Sequence, residues 1–213
     1  MKHEGLIAEE GLPFITPLAL FTILSACVGH PVLAGLLFLL TFFVIWFFRN
    51  PDRVTPDNLK QVISPADGKV IRIEEVDCSG VIQGRFRKIS IFMNVFNVHV
   101  NRIPYSGQIK KIHYHKGKFL SANLDKASEQ NEKNSIVITT DDGRDIMAVQ
   151  IAGLIARRIV CWIKEGMSVT KGERFGLIRF GSRVEVFLPS DSQVLVKVGD
   201  KVKAGETPIG GLS

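Results

Sequence analysis

Gly176–Pro189 reads GLIRFGSRVEVFLP, and how this stretch is read decides the fold. GLIRF and VEVFLP are rich in Val, Ile, Leu and Phe over strand-length runs. Between them stands the pair Gly181-Ser182. A Gly-Ser pair inside a strand pattern is either a plain turn or a bond built for chemistry. The rest of the chain has to choose.

Working outward, the same texture recurs. KVIRIEEV (69–76), KISIFMNV (88–95), SIVITT (135–140), IMAVQIAG (146–153) and RRIVCWIK (157–164) are short Val- and Ile-rich runs between Gly, Asp and Pro. Strands without long helical segments between them predict a mainly β fold, with one sandwich- or barrel-like domain over 51–213. Residues 119–134, FLSANLDKASEQNEKN, break the rhythm and read as a polar loop or short helix. The C-terminal VGDKVKAGETPIGG (198–211) reads as a Gly-turned hairpin.

The front of the chain is different. FITPLALFTILSACV (14–28) and PVLAGLLFLLTFFVIWFF (31–48) carry no charge, and Gly29-His30-Pro31 breaks them apart. A bilayer span needs about 20 apolar residues, which the second run approaches and the first does not. Residues 1–50 are therefore expected to form a membrane-associated helical hairpin of one or two spans. Arg49 and Arg53 follow it, and both its ends are expected on the cytoplasmic side. LSAC, ending at Cys27, resembles a lipoprotein cleavage box. The leader, however, holds Glu4, Glu9 and Glu10 where a secretory signal is basic, and a second apolar run follows at once.

The totals agree with a lipid-facing protein. The 213 residues are 46% apolar with a mean hydropathy of +0.17, and a net charge of +6 favours anionic partners. Cys27, Cys78 and Cys161 form neither a disulfide framework nor a metal-binding spacing. No GxGxxG or P-loop is present. Nucleic-acid binding would use the charge, but it leaves the apolar front unexplained and finds no recognisable module.

Three turn-rich stretches hold reactive residue types. SPADGKV (64–70) places Asp67 before Gly68, which alone reads as an Asp-Gly turn. FNVHVNRIP (96–104) places His99 between Asn97 and Asn101, an Asn-His-Asn row along one face if the segment is a strand. The third is Gly181-Ser182. His113 and His115 have strand spacing among Lys110, Lys111, Lys116 and Lys118, with no carboxylate or cysteine to complete a zinc set.

In order, FFRNPDR, SPADGKV, NVHVNRIPYSG, LDKASEQNEKN, VQIAGLIARRIVCW and GERFGLIRFGSRVEVFLP resemble the phosphatidylserine decarboxylase family, in its short form with a membrane-embedded N-terminus. The resemblance runs from about residue 46 to the C-terminus. It implies a proenzyme that breaks its own Gly181-Ser182 bond, leaving a β chain of 1–181 and an α chain of 182–213. The Ser182 hydroxyl would attack the Gly181 carbonyl to give an ester. Elimination then leaves dehydroalanine, which hydrolyses to a pyruvoyl group and ammonia.

The resemblance also implies an Asp-His-Ser set, here Asp67, His99 and Ser182, with the carboxylate orienting the histidine. Longer members carry a second histidine three residues on. Arg102 stands there in this chain, so either His99 serves both steps or Asp67 acts more directly. The covalent pyruvoyl cofactor implies a Schiff base with phosphatidylserine, loss of CO₂ and release of phosphatidylethanolamine. His99 is the expected proton donor, and no metal is called for. Arg102, Lys110, Lys111 and Lys116 are candidates for the lipid phosphate. The competing expectation is a membrane-anchored β domain that binds anionic lipid without chemistry and keeps Gly181-Ser182 intact.

Overall fold

A computed structural model describes residues 5–119, 130–153, 158–179 and 182–212. The chain divides into two compact units, Met1–Asp52 and Arg53–Ser213.

The first unit is a helical hairpin. A 3-10 turn, Glu9–Gly11, leads into α1 (Leu12–Cys27), and α2 (Pro31–Phe47) follows a tight turn at Gly29, where φ is 81°. A positive φ suits glycine, which has no Cβ to clash. Pro31 opens α2, where its missing N–H removes a donor that would have no helical partner. The two ends of the hairpin are tied together. Ala8 N–H donates to the Phe48 carbonyl at 2.8 Å, and Asn50 N–H donates to the Leu6 carbonyl at 2.7 Å. Entry and exit therefore lie on one side of the hairpin. Between the helices the Thr22 and Thr41 hydroxyls meet at 3.4 Å, and each hydroxyl also donates to a carbonyl one turn back.

Both helices are apolar on most sides, and Leu20, Phe21, Ile23, Leu36, Phe38, Leu39 and Phe42 stand exposed. That surface suits lipid rather than water. The helical stretch long and apolar enough to cross a membrane is Glu9–Cys27, whereas Pro31–Phe47 falls short of that length. The sequence pattern had favoured the second run. The 3-10 turn reverses the order by extending the first helix backwards through Glu9, so two charged residues lie within its helical length.

The second unit is mainly β, as the residue pattern predicts. An antiparallel eight-stranded sheet runs β13 (Lys201–Val202), β2 (Gly68–Ser79), β3 (Gln83–Met93), β11 (Ser182–Pro189), β7 (Asp145–Ala152), β6 (Lys133–Thr139), β5 (Gly107–His115) and β9 (Ser168–Val169). It curls into a half-barrel. A three-stranded sheet pairs β4 (Val100–Arg102), β10 (Arg174–Ile178) and β8 (Ile159–Cys161), and another pairs β1 (Gln61–Ile63), β14 (Pro208–Gly211) and β12 (Gln193–Val194).

β11 sits in the middle of the large sheet, bonded to β3 on one side and β7 on the other from its first residue. Its side chains are buried on both faces. Val184, Val186 and Leu188 join the main core with Ile89, Ile91 and Met93. Phe187 joins a second cluster with Phe86, Met147 and Ile151. That two-sided burial explains why VEVFLP carries so few exposed positions.

The C-terminal segment departs from its expected hairpin. β13 pairs with β2 while β14 pairs with β1 and β12, so the two halves enter different sheets. Both have partners elsewhere that bury Val202 and Ile209, and burial outweighs the local turn. Most of 119–134 lies outside the described residues.

Candidate active site

Ser182 is fully buried at the head of β11, directly opposite Met93 and Ala152. Its hydroxyl donates to Met93 Sδ at 3.3 Å. Gly181, the other half of the pair, lies outside the described residues. On the far face of the same strand a charged pair is equally buried. Arg183 Nη1 donates to Glu185 Oε1 at 3.3 Å, and the Ser90 hydroxyl donates to that same oxygen. Charge is thus kept off the face where Ser182 stands.

His99 is 2% exposed and precedes β4. A turn delivers it: Asn94 N–H donates to Asn97 Oδ1 and Phe96 N–H to Asn94 Oδ1, each at 2.9 Å. Asn97, His99 and Asn101 are therefore not one strand face. Strand pairing starts only at Val100, because the Asn side chains satisfy the preceding backbone as a turn. The His99 ring lies with Nδ1 2.9 Å from the Asn97 carbonyl. A carbonyl only accepts, so Nδ1 carries a proton, and in a neutral ring that leaves Nε2 as the basic nitrogen. The His99 carbonyl accepts from Ile178 N–H at 3.3 Å, which ties the residue to the end of β10, four positions before Ser182.

Asp67 has other partners. Arg53 Nη2 lies 2.9 Å from Oδ2, and Ala204 N–H donates to Oδ1 at 2.8 Å. Asp67 and His99 are thus anchored to different groups. Gly68 opens β2, so the Asp-Gly turn suggested by composition is absent. A Cβ at Gly68 would lie 2.3 Å from the Phe92 carbonyl, so glycine is required for close approach rather than for turning.

Arg102 stands apart from the basic row as well. It is buried, and Nη1 donates to the Gly172 carbonyl at 2.7 Å. Lys110, Lys111 and Lys116 are exposed on and just after β5, with Lys110 Nζ 2.7 Å from Asp145 Oδ2.

Residue-by-residue reading missed a chain of amides that bridges the two sheets. Asn134 Nδ2 donates to Gln150 Oε1 at 3.0 Å, and Gln150 Nε2 donates to Asn101 Oδ1 at 2.9 Å. Asn101 Nδ2 then faces the Pro65 carbonyl at 3.4 Å and Met93 Sδ at 3.8 Å. All three amides are essentially unexposed. Gly176 makes room for the bridge: a Cβ there would lie 3.2 Å from Gln150 Nε2 and 2.2 Å from the Val160 carbonyl. The available signal was Gln150 itself, a lone polar residue in the apolar run IMAVQIAG, since a buried amide must find partners. At the far end of the chain Cys161 is half-buried, and burial pushes its thiol pKa up.

Among the described residues no three His, Cys, Asp or Glu side chains assemble into a metal-binding group. The arrangement offers a buried hydroxyl at a strand head, a buried histidine with Nδ1 held by a backbone carbonyl, and a buried chain of amides linking two sheets. Such a set suits proton transfer and acyl chemistry.

Comparison with known proteins agrees with that chemistry. A family model described as phosphatidylserine decarboxylase matches residues 40–210. The phosphatidylserine decarboxylase proenzyme of Syntrophus aciditrophicus is 58% identical over 211 residues, covering 99% of each chain. That of Desulfotalea psychrophila is 52% identical over 204 residues, 96% of this chain and 95% of its own. That of Magnetococcus marinus is 46% identical over 213 residues, 100% of this chain and 98% of its own.

Proposed function

The chain belongs to the phosphatidylserine decarboxylase family, and we propose that it is a self-processing proenzyme of a pyruvoyl-dependent decarboxylase acting on phosphatidylserine. The carrying observation is the placement of Ser182, buried at the head of a central strand immediately after Gly181. Cleavage at Gly181-Ser182 gives a β chain of 1–181 and an α chain of 182–213. The α chain would stay bound after the cut. Its strand β11 lies between β3 and β7, and β13 and β14 pair with β2 and β1 of the larger chain.

The surroundings of residue 182 fit a small uncharged group. Once Oγ has left, the remaining methyl carbon would face Met93 in an apolar corner with Ala152 and Ile178. A pyruvoyl group there supplies a ketone that condenses with the substrate amine and a conjugated carbonyl that takes up electrons as CO₂ leaves.

The protein's own contribution is to hold protons and exclude water. His99 has its Nδ1 proton committed to Asn97, so Nε2 is the nitrogen that accepts and returns a proton. Asp67 is engaged by Arg53 and Ala204, which favours His99 as the base for self-cleavage and the acid for decarboxylation. Asp67 then acts by holding the two chains together. Of the basic candidates, exposed Lys111 and Lys116 suit the lipid phosphate best, while Lys110 is shared with Asp145 and Arg102 is committed to Gly172. The apolar hairpin would tether the domain to the bilayer that holds the substrate, and Arg49 and Arg53 just after it support a cytoplasmic position for its ends.

The test is the intact mass of purified protein beside Ser182→Ala, followed by CO₂ release from phosphatidylserine vesicles. Two fragments meeting at 181/182, a ketone-reactive N-terminus on the smaller one, and CO₂ release that Ser182→Ala abolishes are expected. A single uncleaved wild-type chain that releases no CO₂ overturns the reading in favour of a lipid-binding domain.

A further inference from the structure

Met93 is where the buried amide chain meets Ser182. The donors run one way, from Asn134 to Gln150 to Asn101. With its oxygen occupied by Gln150, Asn101 presents its amino group to the Pro65 carbonyl and Met93 Sδ. The sulfur is thus approached by Asn101 at 3.8 Å and by the Ser182 hydroxyl at 3.3 Å. Met93 and all three amides are unexposed or nearly so, which leaves water little part in this geometry.

The chemistry of that acceptor matters. Self-cleavage needs the hydroxyl proton to pass to a base while Oγ bonds to the Gly181 carbonyl carbon. The C–N bond then breaks and the nitrogen takes a proton. A thioether accepts a weak hydrogen bond but does not remove a proton. In this geometry the proton of the nucleophile points at an atom that cannot take it.

We propose that Met93 is a positioning residue that restrains self-cleavage: its thioether, held by the Asn101–Gln150–Asn134 chain, keeps the Ser182 hydroxyl in a resting orientation that must be left before attack. This rests on reading Gly181-Ser182 as the scissile bond. The restraint ends with the reaction it governs, because Oγ departs with the Gly181 carboxylate and residue 182 keeps no hydroxyl. The hydrogen bond to Met93 therefore belongs to the proenzyme.

The experiment follows chain cleavage over time after synthesis of the full-length protein, by intact mass, in wild type, Met93→Leu and Met147→Leu. Met147 lies in the same sheet but in the other cluster. A lost neutral hydrogen bond corresponds to about a fivefold change in rate. Met93→Leu should therefore cleave about fivefold faster than wild type, and Met147→Leu at the wild-type rate. Unchanged or slower cleavage overturns the restraint. If Met93→Leu does not fold, norleucine in place of methionine in a Met147→Leu, Met167→Leu background removes the sulfur while keeping the side-chain length, and is read the same way. Failure of the wild type itself to cleave would instead overturn the scissile-bond reading.

Discussion

Asp67 Oδ1 accepts the backbone N–H of Ala204 at 2.8 Å, joining two segments that self-cleavage would place on different chains. The other oxygen holds Arg53, itself only 10% exposed at its side chain and also 3.5 Å from Glu206. Asp67→Asn keeps an acceptor for Ala204 but leaves Arg53 its longer ion pair with Glu206. Removing one partner of a buried pair costs about 3 kcal/mol or more. Urea unfolding of the Ser182→Ala background should show that loss, and a difference below about 0.5 kcal/mol would mean the pair is not a structural clamp.

His99→Gln keeps a side chain of similar reach without a titratable ring. Losing a positioned general acid–base lowers rate by about 10²–10⁴. Decarboxylation per processed chain should fall into that range with KM little changed. A wild-type kcat would remove His99 from the proton-transfer role.

Gly176→Ala tests the inter-sheet bridge. The added Cβ meets the Val160 carbonyl at 2.2 Å, a backbone atom with no side-chain freedom to yield, so β8 and β10 must separate. Destabilisation of about 2 kcal/mol or more is expected, read as a lowered Tm. Gly29→Ala makes the comparison informative, since no atom lies within 4 Å of its Cβ position and the cost there is conformational.

The three cysteines should differ in reactivity. Cys27 is exposed, while burial pushes the Cys78 and Cys161 thiols above their usual pKa, Cys161 being the more enclosed. A raised pKa means less thiolate at a given pH, so in detergent at pH 8 iodoacetamide should modify Cys27 first and Cys161 last. Labelling of Cys161 should grow as the pH rises above the ordinary thiol range of about 8.5. Equal rates at pH 8, followed by peptide mass, would contradict the burial.

The exposed apolar surface of the hairpin predicts membrane attachment that salt does not reverse. At 1 M salt, charge attraction is screened beyond about 3 Å, whereas burial of leucine and phenylalanine persists. Vesicle flotation of the full chain should be unchanged between low and high salt. Release by salt would assign attachment to the basic surface instead.

The residue pattern alone separated an apolar helical front from a β-rich remainder. Uncharged runs at 14–28 and 31–48 read as apolar helices, and Val- and Ile-rich runs between Gly and Asp read as strands. The order of its motifs likewise pointed to the family and singled out Gly181-Ser182. Partnership was decided only by the tertiary structure. Nothing local in VGDKVKAGETPIGG sends its halves to different sheets, and nothing near Asp67 announces Arg53 and Ala204. Gln150 signals that a buried amide needs partners, but the partners come from 49 residues upstream and 16 residues away. A strand's two-residue period says which side chains share a face. Register and sheet packing, set by burial summed over the whole core, decide what that face meets, and so bring Met93, Asn101 and Ser182 together.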